Sequence, residues 1–286
     1  MRRSRATELF ALAVAVGLAG CSSPSDGPTL PPSATPVTTA SGAEGSSSAE
    51  PTIALPPAGG FDYQLGGAYE PPAGTAIVAR DSTDSPAPGL HNICYLNGFQ
   101  SQPGEADAWD GLLLEDAEGP VADPGWPDEY LFDTSTEANR SAIAERVSKA
   151  ILECAYKGFD AVEFDNLDSY SRSEGALTAE DNLALAALYI ADAHAAGLAV
   201  AQKNSVEIAR QGAAAGFDFA VTEECGQYEE CADYLEVYRV VLDIEYGEAA
   251  DYAELCASGA LPTQSVRRDL DLTTPESADY VFERCP

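Results

Sequence analysis

The sequence predicts an α/β protein built as a single (β/α)8 barrel over residues 59–286, preceded by a signal peptide and a linker. Three observations carry that prediction. Eight short apolar runs recur, at residues 61–65, 76–79, 92–96, 160–164, 198–202, 217–222, 240–244 and 261–266, and eight is the strand number such a barrel needs. Two of the stretches between them read as amphipathic helices, with Ile143, Val147, Ala150, Ile151 and Cys154 on one face of the first and Leu183, Ala187, Ile190 and His194 on one face of the second. Each of these helices ends at a glycine, Gly158 or Gly197, directly before the next run, as a turn from helix to parallel strand requires. An open doubly wound sheet is the competing architecture, but no glycine-rich phosphate loop follows any run.

The chain opens with three arginines among its first five residues, then an apolar stretch from Leu9 to Ala19, then Leu18-Ala19-Gly20-Cys21. That order is a signal peptide over residues 1–20, too short in its apolar part to span a bilayer as a helix. The end of the segment resembles a bacterial lipobox, so cleavage before Cys21 and lipidation of its thiol are expected, with an ordinary secretory signal as the alternative. Residues 21–58 are rich in Ser, Pro and Thr and carry almost no large apolar side chain before Ile53 and Leu55. Such a segment cannot bury a core and reads as a lipid-anchored linker. The expected location is therefore outside the cell, tethered to a bacterial membrane or cell surface.

Seven cysteines become six once Cys21 is assigned to lipid. An even count in an exported chain suggests disulfides, with buried free thiols as the alternative. Cys225 and Cys231 can close a small loop, Cys256 with Cys285 would pin the C-terminus, and Cys94 with Cys154 remain by elimination. Neither His91 nor His194 stands in a spacing that suggests zinc, and no metal or other cofactor is called for. The formal charge is -32, and the first twenty residues hold three Arg and one Glu, so the chain without them carries -34. That sign excludes nucleic acid as a natural partner and suits a polycationic one.

Within the domain, helix starts are marked at Thr134-Ser135-Thr136-Glu137 and Thr178-Ala179-Glu180-Asp181. Residues 98–129, polar and rich in Pro and Gly, read as a long loop over the strand ends. The C-terminal ends of the runs hold the chemistry, because that is the face where barrel enzymes place their catalytic groups. They read Glu163-Phe164-Asp165-Asn166-Leu167-Asp168, Gln202-Lys203-Asn204, Thr222-Glu223-Glu224-Cys225 and Asp243-Ile244-Glu245-Tyr246. Strand alternation points Glu163 and Asp165 the same way, into the mouth. Carboxylates crowded into a partly desolvated pocket are driven to different pKa values, one protonated and one charged, which is what a glycosidase uses. Singly, Asp and Asn at strand ends often cap helices and Lys203 could simply neutralise its neighbours. Four successive ends of this kind, with Tyr63, Tyr95, Tyr170, Tyr228 and Tyr246 nearby, suit a sugar pocket better. His194 reads as a core residue with its hydrogen bonds met. No Gly-x-Ser-x-Gly elbow and no His-Glu-x-x-His occurs, against a serine hydrolase or zinc protease.

Several blocks, taken in order, resemble one family. They are Tyr63-Gln64-Leu65, Ile93-Cys94-Tyr95, Trp126 with Glu129 and Asp133, the stretch 158–168, Lys203-Asn204, the stretch 217–225 with Tyr228 and Cys231, and Glu245-Tyr246. Together they are similar to glycoside hydrolase family 114, the endo-α-1,4-polygalactosaminidases, over nearly everything after the linker. The resemblance implies a TIM barrel that hydrolyses α-1,4 links in galactosamine-containing polysaccharide, with Asp165 and Glu223 at the positions of the family's proposed catalytic pair. On that basis Asp165 is expected to be the charged nucleophile or base and Glu223 the proton donor. Glu163, Asn166, Asp168, Lys203, Asn204, Glu245, Tyr246, Tyr63, Tyr95 and Asp133 are expected to bind substrate or tune the pair. This chain departs from the family at Phe61-Asp62-Tyr63, where tryptophan is usual, and in the loop 96–100. The partner implied is an amino-sugar polymer, met by a monomer. A non-catalytic polysaccharide-binding lipoprotein on the same barrel and a metal-dependent deacetylase are the alternatives.

Overall fold

The computed structural model describes residues 53–286. The signal peptide, Cys21 and nearly all of the linker lie outside the described residues. Eight parallel strands run in sequence order, each hydrogen-bonded to the next: β1 (Gly60–Gln64), β2 (Thr75–Asp81), β3 (His91–Asn97), β4 (Ala161–Asp165), β5 (Ala199–Lys203), β6 (Phe219–Glu223), β7 (Val241–Glu245) and β8 (Gln264–Arg268). All eight apolar runs are strands. The last begins three residues later than its run, because Pro262 has no N–H to give to a ladder.

A ninth strand, β9 (Phe282–Arg284), was not legible in the sequence and pairs antiparallel with β8. It sits at the seam where β8 meets β1, so side chains rather than a parallel ladder bring the sheet ends together. The buried Arg268 donates to the Asp62 carboxylate at 3.2 Å and to the Tyr63 carbonyl across that seam. Arg284 packs so tightly on Gly60 that a Cβ there would collide with its guanidinium. The sheet is thus a nine-stranded, nearly closed barrel.

Alternation sorts the strand side chains into two layers. Phe61, Ile77, Ile93, Phe219, Leu242 and Ile244 fill the barrel interior. Their odd-numbered or even-numbered neighbours, such as Leu96, Val162, Phe164 and Val200, face outward onto the helices. The helices are α1 (Glu137–Lys157), α2 (Ala179–Ala195), α3 (Ala209–Ala215), α4 (Cys231–Val237) and α5 (Ala249–Ser258). Both expected starts are used: Thr136 caps α1 through the Asn139 N–H, and Thr178 and Asp181 form a capping box on α2. Gly158 ends α1 at φ 92°, a left-handed conformation that glycine adopts without strain.

The buried face of α1 is the expected one, and truncating Ile151 to Ala is expected to cost about 2–5 kcal/mol. That of α2 is rotated from the expected face: Leu185, Ala186, Tyr189, Ile190 and Ala193 are buried, whereas Ala187 is exposed. The reason is Tyr189, whose hydroxyl reaches the Gly98 carbonyl at 2.8 Å and whose ring stacks on Phe164, which turns the helix by its largest side chain. His194 is consequently half-buried rather than in the core, with its ring on Asp218 at 2.8 Å. No helix occupies the links β1–β2 and β2–β3, where Pro71, Pro72, Pro86 and Pro88 stand in short loops.

Three disulfides pair as expected: Cys94–Cys154 staples β3 to α1, Cys225–Cys231 closes a small loop after β6, and Cys256–Cys285 holds the C-terminus to α5. The stretch 98–129 is more ordered than a simple loop. It carries a 3-10 turn at Ala106–Trp109, antiparallel bridges joining Gln100 to Leu131, Leu113 to Phe132 and Ala122 to Tyr130, and a small cluster of Leu114, Leu131 and Leu177. Among the described residues no helix is long and apolar enough to cross a membrane.

Candidate active site

The inward phase of the strands ends, at the C-terminal mouth, in a ring of polar groups: Tyr63 of β1, Tyr95 and Asn97 of β3, Glu163 and Asp165 of β4, Lys203 of β5, Glu223 of β6 and Tyr246 just after β7. Lys203 is its centre. The buried ammonium lies 3.1 Å from Glu223 Oε2, 3.3 Å from Asp165 Oδ1 and 3.4 Å from Glu163 Oε1, and within 6 Å of the Tyr63 and Tyr95 ring centroids. One cation therefore serves three carboxylates. Burial alone would lower its pKa, but Asp165 and Glu223 more than compensate and hold it well above the usual lysine range.

Each carboxylate has its own set of donors. Glu163 is completely buried beneath the lysine and accepts the Tyr63 hydroxyl at 2.7 Å. Its Oε2 has no hydrogen-bond partner. Burial, aided by the charges of Asp165 and Glu223 and opposed by Lys203, pushes its carboxyl up to about 7. Asp165 accepts the Tyr95 hydroxyl at 2.8 Å and the Asn166 N–H at 2.8 Å. Burial would raise its pKa, yet Lys203, Tyr95 and Asn166 outweigh that and keep it below the ordinary aspartate value. Glu223 accepts from Asn204 Nδ2 at 3.1 Å and from the Tyr246 hydroxyl, while its own N–H donates to Asn204 Oδ1 at 2.8 Å. Burial and the neighbouring carboxylates raise the pKa values of Tyr63, Tyr95 and Tyr246 well above normal, so all three stay hydroxyl donors.

The chain turns sharply where these strands end. Asn166 after β4, Asn204 and Ser205 after β5 and Glu224 after β6 all adopt φ between 46° and 64°. Such left-handed residues are uncommon outside glycine and cluster at functional sites. They let side chains at successive positions stay beside the mouth while the backbone leaves for the helices.

The expected site residues divide accordingly. Tyr63, Tyr95, Glu163, Asp165, Lys203, Asn204, Glu223 and Tyr246 are brought together, and Asn166 and Asp168 lie at the edge. Asn166 donates to Asn97 at 2.9 Å, and Asp168 pairs with Arg172 at 2.8 Å. Two residues are not brought in. Asp133 accepts from Ser135 and Asn139 and shapes the entry to α1. Glu245 lies in the outward phase of β7, opposite to Leu242 and Ile244, and accepts the Gly226 N–H at 2.7 Å behind the mouth.

Asn97 and Arg172 are members not expected from the sequence, and Glu129, quoted there only within a family block, joins them. Asn97 donates to Glu129 Oε2 at 2.7 Å, and Arg172 donates to Asn166 Oδ1 at 3.0 Å. Asn97 stands two residues after Tyr95, so alternation alone places it inward. The local mark of Arg172 is its i,i+4 spacing from Asp168. Beside the ring, Cys225, Cys231, Asp243 and Glu245 bring ligand atoms within 4.8 Å of one another, but the two sulfurs are joined and offer no thiolate to a metal.

A parallel barrel whose C-terminal mouth gathers buried carboxylates, amides and tyrosines around one lysine is the apparatus of a glycoside hydrolase. Residues 42–286 match the model of glycoside-hydrolase family GH114, and the chain belongs to that family. Among solved structures, it is similar to Ega3 of Aspergillus fumigatus, crystallised in complex with galactosamine, with a TM-score of 0.66 and 21% identity over 82% of this chain and 98% of that one. The glycoside hydrolase domain of PelA from Pseudomonas aeruginosa gives a TM-score of 0.54 and 17% identity over 78% of this chain and 97% of that one. A search of the curated proteins found no match.

Proposed function

We propose that this glycoside hydrolase cuts α-1,4 links inside galactosamine-containing polysaccharide, with Asp165 as the charged carboxylate and Glu223 as the proton donor. The observation that carries the reading is that Asp165 and Glu223 meet at one buried ammonium in the barrel mouth, with Asp165 kept below the ordinary aspartate value. Asp165 is held charged by the lysine, a tyrosine hydroxyl and a backbone N–H. A carboxylate kept ionised in this way is suited to attack or stabilise a developing oxocarbenium ion.

Asp165 Oδ1 and Glu223 Oε2 both lie against the lysine nitrogen, so they stand no farther apart than 3.3 Å and 3.1 Å laid end to end, about 6.4 Å. That bound applies to the facing oxygens alone; Asp165 is assigned as nucleophile of a retaining reaction on its sustained charge, and the anomer released tests the assignment. In that reaction Asp165 bonds to the anomeric carbon as Glu223 protonates the leaving oxygen. Water then displaces Asp165 and gives its proton back to Glu223. The formal charge of -32 favours a polymer that bears free amines, as does the galactosamine bound by Ega3.

The chain is further read as exported, cleaved before Cys21 and held by lipid on that residue, so that the linker sets the barrel within reach of surface polymer. Metabolic labelling with a fatty acid tests this, since Cys21→Ser should lose the label and leave the membrane fraction. For the activity, incubation with amino-sugar polymers followed by mass analysis should show oligosaccharides from α-1,4-linked galactosamine polymer. The NMR signal of the first anomer formed should show the α configuration. Release of monosaccharide only, or of the β anomer, would contradict the endo or the retaining part respectively.

A further inference from the structure

Two large aromatic side chains stand out in water near the mouth and take no part in the ring just described. Trp126 is 63% exposed and Tyr228 is 60% exposed. Isolated exposed apolar residues need no explanation, but these two are mounted on unusually well-fixed turns. Trp126 sits in a turn held by Asp123, whose Oδ1 accepts the Gly125 N–H at 2.7 Å and the Trp126 N–H at 3.2 Å. Asp123 is in turn gripped by the buried Gln100 at 2.6 Å and by Arg172 at 2.5 Å. The turn closes when the Glu129 N–H donates to the Trp126 carbonyl at 2.9 Å, and Glu129 joins Asn97 beside β4. Arg172 and Asn97 both bond Asn166, the residue next to Asp165. The tryptophan is therefore tied, by two routes, to the end of the strand that carries Asp165.

Tyr228 has the same relation to the other carboxylate. It stands mid-way in the loop closed by Cys225–Cys231, which begins two residues after Glu223. Its N–H donates to the Glu224 carbonyl at 3.0 Å, and Gly226 of the loop is held by Glu245. Gln227 and Glu229, on either side of it, line a cavity of about 660 Å³ that runs on between the β6–α4 and β7–α5 connections. In barrel order the two aromatic turns follow β3 and β6, with β4 and β5 between them. They bracket Asp165, Lys203 and Glu223.

We propose that Trp126 and Tyr228 are stacking platforms for sugars on the two sides of the cleavage point, so that a chain lies across the mouth from one ring to the other. The proposal rests on the glycosidase reading above. Sugar rings present apolar C–H faces that stack on aromatic rings, and a ring held rigid by its turn loses little entropy on binding. Such an arrangement favours long substrate over short, because only a chain that spans both rings engages both.

The test compares Trp126→Ala, Tyr228→Ala, the double variant and Trp126→Phe with the unaltered chain, on long galactosamine polymer and on a short galactosamine oligosaccharide. Each alanine change should raise KM for the polymer about five- to tenfold, with a smaller rise for the oligosaccharide, and the double variant should shift products towards different lengths. Trp126→Phe should recover most of the loss. Trp126 is one of two tryptophans, and Trp109 is packed on Phe132, so polymer should change the fluorescence of the unaltered protein and not that of Trp126→Phe. A ratio of polymer KM to oligosaccharide KM unchanged in both alanine variants, with turnover intact, would overturn the platforms and leave the glycosidase reading standing. Absence of any cleavage by the unaltered protein would overturn that reading instead. In that case a polymer-dependent fluorescence change lost in Trp126→Phe would still support the platforms, and its absence would overturn both.

Discussion

Two clusters of acids lie on opposite faces of the same barrel wall, one partly open to the mouth and one buried, and they solve the same electrostatic problem differently. At the mouth, Glu163, Asp165 and Glu223 surround Lys203. Behind it, Asp243 and Glu245 face outward from β7 with no cation partner among the described residues. Asp243 accepts from Thr222 at 3.0 Å and Ser265 at 2.7 Å, and Glu245 accepts from the Gly226 N–H. Burial, with Asp243 adding its charge, pushes Glu245 up to about 8, and burial pushes Asp243 up to about 6. Where a lysine is present, a carboxylate stays charged in the interior. Where none is present, the pair keeps a proton. A site that needs an ionised group must import a counter-ion, whereas a merely structural acid can neutralise itself.

Removing the cation should break this contrast most severely. Lys203→Met leaves three carboxylates uncompensated, and losing one partner of a buried ion pair costs about 3–5 kcal/mol. Denaturant unfolding should show a loss of that order, and the residual activity should move to more alkaline pH, because Asp165 without the ammonium needs a higher pH to lose its proton.

Next in size is the disulfide beside the mouth. Opening Cys225–Cys231, six residues apart, should cost about 2 kcal/mol by loop entropy, against about 4 kcal/mol for Cys94–Cys154, separated by 60. The smaller stability loss should nevertheless bring the larger fall in kcat/KM, because that loop follows Glu223 directly.

Glu163→Gln sharpens the comparison within the mouth. In the natural chain Glu163 loses its proton as pH rises through about 7, adding a negative charge to the mouth that helps retain the proton the reaction needs. The neutral glutamine cannot do this, so the alkaline limb of the kcat/KM profile should shift to lower pH by a few tenths of a unit or more. A profile that superimposes on the unaltered one would remove Glu163 from the tuning of the pair.

The smallest effect on rate is expected behind the wall. A carboxyl with a raised folded pKa holds a proton that the unfolded chain has released, so its contribution to stability falls as pH climbs from the ordinary glutamate value towards about 8. Glu245→Gln should flatten that decline in a melting-temperature series from pH 5 to pH 9, while changing the rate less than any substitution in the mouth.

The contrast also explains what could be read from the chain. The eight parallel strands were legible because each is a short apolar run, two of them set directly after a helix that ends at glycine, and Glu163 and Asp165 because alternation is a local rule. The same rule, applied from Leu242 and Ile244, sets Glu245 outside the mouth, but a strand end read only for its acids hides that phase. The rotation of α2 depends on Tyr189 meeting Phe164 and Gly98, contacts from other parts of the chain. β9 is three residues long, too short for periodicity, and is fixed by the seam and by Cys285. Arg172 joins the site through Asn166, Asp123 and Asp168, and only the last of these stands at a helical spacing in the chain.

The central claim is that Asp165, kept charged by Lys203, and Glu223 together break the glycosidic bond. Its most direct test is the release of reducing ends from galactosamine polymer by Asp165→Asn, with folding checked by circular dichroism and binding by tryptophan fluorescence. The account predicts a fall of at least about a thousandfold, as for loss of a nucleophile, with binding preserved. Hydrolysis by Asp165→Asn at the natural rate would contradict it.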